Sequence, residues 1–171
     1  MLTLESMLAA LPMPKRFAFA TACGERILNE VASLGEEIPG EEPVRRGIDF
    51  GWRVAGGEAA GRTEAKEIYE SVCDAIPITE DSNEFEMACA GAGGIPVLMA
   101  LEPHDSACHA AGVAEQLVNL VAHYYEDNRR VESEEEKWQR TLIERLKSAP
   151  EPVTREIVNT VPDYDRGERM E

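Results

Sequence analysis

The stretch AKEIYESVCDAI, residues 65–76, carries the pattern that decides the fold. Its apolar residues recur at intervals of three and four positions, which is the spacing of one face of an α-helix. Those residues are Ala65, Ile68, Tyr69, Val72, Cys73 and Ile76. Several of the residues between them are carboxylates, which suit the exposed face of a helix. The stretch therefore predicts an amphipathic helix with one buried side.

The same spacing recurs in residues 17–34, 44–55, 110–124 and 138–146. Asp105 is placed as the N-cap of the third of these helices. Ser133 and Glu136 have the spacing of a capping box, which would begin the fourth. No run alternates apolar and polar residues as a half-buried strand would. We therefore predict an all-α, single-domain helical bundle of about six to seven helices.

Residues 85–102 form the ambiguous element. Their apolar residues have helical spacing, yet the middle reads GAGGIP, residues 91–96. Pro96 removes a backbone donor and clashes with the preceding turn, so we expect a helix kinked or broken near Pro96, or a loop. The glycines lack the strand and the lysine of a phosphate-binding loop, so close helix packing is the favoured interpretation.

The chain divides by composition near Pro150. Residues 1–150 are assigned to the helical domain, and residues 151–171 to a polar C-terminal tail with one short helix around 154–161 followed by flexible chain. Four cysteines lie far apart without a C-x-x-C pair, and we predict buried, reduced thiols.

The charge balance is strongly acidic. Among 171 residues, 33 Asp and Glu against 17 Lys and Arg leave a formal net charge of −16. Such a surface repels nucleic acid and attracts a basic protein partner. Net charge also keeps proteins soluble, and the sequence leaves these two interpretations open. No apolar run of membrane-spanning length and no basic leader are evident, so we expect a cytoplasmic protein that does not bind membranes.

The acidic runs give the candidate partner face. One run falls between two predicted helices, and the other begins a helix, where carboxylates also complement the helix dipole. The candidate residues are Glu36, Glu37, Glu41, Glu42, Glu134 and Glu135.

Catalytic and metal-binding patterns are weak. The densest set of ligand types is EPHDSACH, residues 102–109, and we interpret it as a loop and a helix start. His109 and His123 are fourteen residues apart, about 21 Å along a helix, so they cannot share an ion. We predict no metal, no cofactor and no catalytic residue from these patterns. The alternative is an enzyme with an interhelical Cys, His and carboxylate site.

Four short segments occur in an order that resembles the YjaG-like family, a helical bacterial family of unknown function. They are residues 19–26, 48–52, 75–81 and 109–113. The resemblance implies a helical fold and transfers no catalytic residue. It directs attention to Glu25, Arg26, Asp49 and Trp52.

Two interpretations of these four residues are open. In the structural one, Arg26 pairs with Asp49 across two helices, above Trp52, and fixes the helix register. In the functional one, the residues form a polar contact site.

The favoured function is a protein-binding module, such as an immunity or inhibitor protein that blocks a basic toxin or nuclease. An enzyme and a self-associating helical scaffold are the alternatives, and the sequence leaves the oligomeric state open.

Overall fold

The computed structural model describes residues 1–171 and contains seven α-helices, two short 3₁₀ helices and no strand. The predicted all-α bundle is confirmed. The α-helices are α1 Leu4–Ala9, α2 Met13–Ser33, α3 Glu41–Ala55, α4 Arg62–Ala75, α5 Glu84–Leu101, α6 Ser106–Tyr124 and α7 Asn128–Ser148. The 3₁₀ helices are Pro103–Asp105 and Arg155–Thr160.

Helix α7 begins earlier than the sequence predicted. Asp127 is its N-cap, and the Asp127 side chain accepts a hydrogen bond from the backbone N–H of Arg130 at 3.4 Å. Ser133 therefore lies inside the helix, and the predicted capping box is wrong. Asp105 does precede α6, but its side chain makes no capping hydrogen bond. The capping box of the molecule is at α5, where Asn83 and Glu86 cap each other's backbone.

Helix α5 is the central element, and it packs against α2, α3, α4 and α6. Small residues let the neighbouring backbones approach it closely. A Cβ atom added to Gly47 of α3 would lie 1.9 Å from the Gly93 carbonyl oxygen, and one added to Gly24 of α2 would lie 2.9 Å from that of Ala92. The glycines of α5 thus serve close helix packing, as expected.

Pro96 does not break α5, which stays one helix from Glu84 to Leu101. The predicted break or loop is wrong. Pro96 is buried, and its ring lies against the backbone of Gly51 in α3, where an added Cβ would be 3.1 Å from the proline Cβ. The packing of α5 on four other helices offsets the hydrogen bond that the proline removes.

Length and composition also make α5 the one helix that could cross a membrane, with a mean hydropathy of 1.3. The expectation that no run reaches that length is therefore wrong. Half of its residues are buried inside the bundle, as in the core helix of a globular protein.

The core contains Phe17, Phe19 and Phe50, each almost wholly buried. Cys23 and Cys89 belong to it, and burial raises the pKa of the Cys89 thiol to about 12. Cys73 and Cys108 are exposed, which corrects the prediction that all four thiols are buried. Both occupy outward positions on helices whose opposite sides face the core.

The tail, residues 151–171, packs onto the helices. Val153 and Val161 are buried on either side of the 3₁₀ helix Arg155–Thr160, which lies within the predicted short helix. Near the C-terminus the Met170 N–H donates to the Tyr124 carbonyl at 3.0 Å, and the Glu126 N–H donates to Glu168 at the same distance. The tail therefore contributes buried side chains to the domain that the sequence assigned to residues 1–150.

Candidate binding surfaces

Arg26 is the centre of a buried charged cluster. Its guanidinium donates to the two oxygens of Glu135 at 2.9 and 3.1 Å and to Asp163 Oδ1 at 2.7 Å. Glu135 is fully buried. The ring of Trp138 lies 4.1 Å from the guanidinium carbon, within the range of a cation–π contact. The cluster joins α2, α7 and the tail.

The tail supplies the second half of this cluster. The Tyr164 hydroxyl donates to Glu135 at 2.7 Å. Arg166 pairs with Glu30 of α2, and the Tyr125 hydroxyl donates to Glu30 Oε2 at 3.0 Å. Each buried carboxylate of the cluster thus has a cation and a tyrosine as partners. Each charge of the cluster has a partner of opposite charge, which offsets part of the cost of its burial.

Burial and these contacts shift the pKa values of Arg26, Tyr164 and the neighbouring Cys23. Burial lowers the pKa of Arg26, but the charge and hydrogen bonds of Glu135 and Asp163 outweigh burial and raise it overall. Burial, then the Glu135 carboxylate, raises the pKa of Tyr164, so the phenol stays protonated. Burial and then Glu135 also raise the pKa of the Cys23 thiol. The cluster is therefore built to stay fixed near neutral pH, which suits a structural lock between tail and helices.

A cavity of about 480 Å³ adjoins the cluster. Its lining includes Arg26, Arg166, Arg169 and Asp163, with neither Cys nor His. Two of the three carboxylates that line this cavity, Glu30 and Asp163, are paired with arginine, as described above. The geometry of a Cys, His and carboxylate site does not occur in this cavity.

The four residues singled out by the family resemblance do not form one site. Arg26 and Asp49 are not paired, so that prediction is wrong. Asp49 instead lies 3.8 Å from Arg155 of the tail, and Glu25 pairs with the same arginine at 2.8 Å. The Trp52 ring is 5.6 Å from the Arg155 guanidinium.

Arg26 does make a structural ion pair, but its partners are 109 and 137 residues away. No local spacing connects positions so far apart. Trp138 takes the place under the guanidinium that was expected for Trp52.

The predicted acidic partner face also changes. Glu36 and Glu37 are exposed in the α2–α3 connection. Glu41 and Glu42 lie in the first turn of α3, where the helix dipole accounts for them, and Glu41 pairs with Arg45 at 3.0 Å. Glu135 is buried against Arg26, so it cannot touch a partner and that assignment is wrong.

Three side chains at the α5–α6 junction could hold a cation. The ligand atoms of Glu102, Asp105 and His109 lie within 4.8 Å of one another. His109 Nε2 is 3.0 Å from Glu102 Oε1, so the two side chains already form a hydrogen bond. The carboxylates are exposed and the imidazole is half-buried. The set falls in residues 102–109, the segment that the sequence singled out as richest in ligand types.

The strongest charge asymmetry runs from Glu67 in α4, through α5 and α6, to Asn128 at the start of α7. Residues 67–128 contain twelve Asp and Glu and no Lys or Arg. All 17 Lys and Arg, with the other 21 acidic residues, fall outside this stretch. We call residues 67–128 the cation-free segment. Its charge of −12 accounts for three quarters of the net charge of the chain.

An apolar groove runs between α4 and α5 inside the cation-free segment. It has a volume of about 380 Å³, and eight of its ten lining residues are hydrophobic. An added Cβ on Gly94 of α5 would lie 3.9 Å from Val72 and 4.0 Å from Tyr69, both on α4. The two helices therefore face each other across the groove at this point. Lining residues include Tyr69, Cys73, Ile78, Ala90, Ile95 and Leu98.

Comparison of the chain with models of known families, with curated proteins and with solved structures gives no match. The resemblance to the YjaG-like family therefore stays a prediction.

Proposed function

We propose that this chain is a protein-binding module that docks on a basic protein through the surface of α4, α5 and α6. The observation that carries the proposal is the cation-free segment, which places twelve carboxylates on these helices and their connections. Only Arg62 and Lys66, in the first turns of α4, add positive charge to the three helices. Charge needed only for solubility has no reason to concentrate on three consecutive helices, because interspersed charges serve solubility equally well.

An acidic surface of this kind accelerates encounter with a cationic surface and excludes other polyanions. Nucleic acid and anionic membrane surfaces are repelled by it. The concrete form of the proposal is an immunity or inhibitor protein, in which the acidic surface covers a Lys- and Arg-lined active site of a toxin or nuclease. The hydrogen bonds of Arg26 with Glu135 of α7 and Asp163 of the tail support that role. They hold these elements together, and a rigid surface loses less entropy on binding.

The test compares two variants with the same loss of charge. In the first, Glu70, Asp74, Glu80 and Asp81 are changed to their amides, and all four are exposed within the cation-free segment. In the second, four carboxylates outside it are changed to amides. These are Glu36, Glu37, Glu144 and Glu168, all of them exposed.

Affinity for a purified basic nuclease, and capture of basic proteins from an extract, are then measured at about 50 and about 500 mM salt, since screening weakens exposed electrostatic contacts. The proposal predicts binding at low salt that is lost at high salt and weakened mainly by the first variant. Equal weakening by both variants would show that only total charge matters. An absence of binding at low salt would reject the proposal.

A further inference from the structure

The groove between α4 and α5 indicates which part of the basic partner would bind there, an inference that rests on the proposed function. We propose that this groove receives an amphipathic basic helix of the partner, with the apolar stripe of that helix in the groove and its Lys and Arg residues on the acidic rim.

The groove has a floor that another helix can approach. Gly94 lies on this floor, and an added Cβ there would meet its neighbours only at ordinary contact distances of 3.9 and 4.0 Å. Gly94 is therefore not required by the packing of α4 on α5, whereas Gly47 and Gly93 are required by the packing of α3 on α5. Because Gly94 has no side chain, the groove is deeper at this position.

Exposed apolar side chains extend the groove. Only five large hydrophobic residues of the chain are exposed, and Ile78 and Met87 are two of them. Ile78 lines the groove and is 54% exposed. Met87 precedes Gly91 by one helical turn on α5, so it continues the same face. From Met87 to Leu98 the face is about 16 Å long, which matches roughly three turns of a docked helix.

The rim of the groove is acidic. Glu80 and Asp81 are exposed just after Ile78 and Thr79, and Asp74 is exposed on α4. Glu70 is also exposed on α4, where Lys66 lies 4.0 Å from it, so the acidic charge of the rim exceeds its basic charge. At the far end, Glu102 is near enough to Tyr69 to contribute, after burial and Cys73, to the raised pKa of the Tyr69 phenol.

Charge complementarity selects the occupant. A second copy of this chain would bring its own acidic surface against the rim, and like charges oppose that contact. An anionic lipid surface is disfavoured for the same reason. A helix with apolar residues at i, i+3, i+4 and i+7 and with Lys or Arg flanking them satisfies both the groove and its rim.

The probe is a fluorescein-labelled helical peptide of Leu and Lys, with Leu at those four spacings. A second peptide has the same composition in an order without an apolar stripe. Binding of both to the full chain is measured by fluorescence anisotropy at about 50 mM salt. We expect the amphipathic peptide to bind at least about tenfold more tightly than the scrambled one, because only it presents anchors to the groove.

Two groove variants and one matched control decide where the peptide binds. Ile78→Asn with Met87→Gln removes two exposed apolar side chains without changing charge. Leu2→Asn with Met170→Gln removes two exposed apolar side chains elsewhere. Gly94→Ala partly fills the floor, and the space around Gly94 accommodates it. We expect about tenfold weaker binding by the first pair, a smaller loss for Gly94→Ala, and no change in the control.

The outcomes separate this inference from the proposed function. Equal binding by the wild type and the Ile78→Asn, Met87→Gln variant would overturn the groove inference, while salt-sensitive binding of both peptides would leave the electrostatic proposal standing. A failure of both peptides to bind at low salt would overturn both. Peptide binding that is accompanied by dimerisation of the chain in sedimentation would assign the groove to a second copy instead.

Discussion

Replacing Gly47 by alanine should destabilise the bundle although alanine is the better helix former. The added Cβ would lie 1.9 Å from the Gly93 carbonyl oxygen, whereas ordinary contact begins at 3.4 Å. Helices α3 and α5 would have to separate by about 1.5 Å, because neither partner is a side chain that can rotate away. Inserting atoms into a packed core typically costs about 1–3 kcal/mol, and a backbone contact belongs at the upper end.

The helix propensity of alanine offsets about 1 kcal/mol of this cost. We therefore expect the free energy of unfolding to fall by about 2 kcal/mol or more. Gly112→Ala is the matched control, since Gly112 is also inside a helix and an added Cβ there would meet nothing within 4 Å. The same substitution at Gly112 should stabilise the protein by up to about 1 kcal/mol.

Urea unfolding followed by circular dichroism measures both variants against the wild type. We expect Gly47→Ala to lower the free energy of unfolding and Gly112→Ala to raise it. If Gly47→Ala were as stable as Gly112→Ala, the backbones of α3 and α5 could not be in contact at Gly47 and Gly93, and the account of the glycine-rich helix would be refuted.

Three further predictions concern the charged groups. Arg26→Ala leaves the fully buried Glu135 without its main cation and should cost about 3–5 kcal/mol in urea unfolding, while Arg26→Met combined with Glu135→Leu should recover most of that loss. Arg155→Ala should change stability by less than about 1 kcal/mol in the same assay, because the Arg155 side chain is 56% exposed. The pKa of Tyr164 is raised above its ordinary value of 10.0, first by burial and then by Glu135, so the folded protein keeps a proton that the unfolded chain loses. The contribution of Tyr164 to stability should therefore be constant below pH 10 and be lost as the pH rises above it, so stability should fall less steeply above pH 10 in Tyr164→Phe; an equal slope in both proteins would contradict this assignment.

The elements with strong helical periodicity could be predicted from the sequence, and the contacts of single residues could not. Residues 65–76 place six apolar side chains on one face, and the helix Arg62–Ala75 follows from that spacing. The sequence left a kinked helix, a break and a loop open at Pro96, because a local rule for helix breaking does not include the packing of α5 among four helices. The partners of Arg26 were missed for a related reason, since Glu135 and Asp163 reach it only after the whole chain has folded.

The candidate binding surface, in contrast, was readable from the sequence. An absence of Lys and Arg over 62 successive residues requires no coordinates to detect, yet runs of adjacent glutamates are more conspicuous. Those runs proved a poor guide, because Glu41 and Glu42 complement a helix start and Glu135 is buried. The absence of Lys and Arg from residues 67–128 was a better guide to the candidate surface than the runs of glutamate.

The two halves of the charge pattern have separate physical consequences. Arg26, Arg155 and Arg166 all lie outside the cation-free segment, and each ties the tail to α2 or α3 by ion pairs. Cations used in this way fix the structure but neutralise the carboxylates beside them. Among the carboxylates of the cation-free segment, Lys66 approaches only Glu70 and Arg130 pairs only with Asp127, so the field of the other carboxylates extends into solvent beside the apolar groove. A partner that supplies the missing cations would neutralise the repulsion among these carboxylates and cover the groove at the same time.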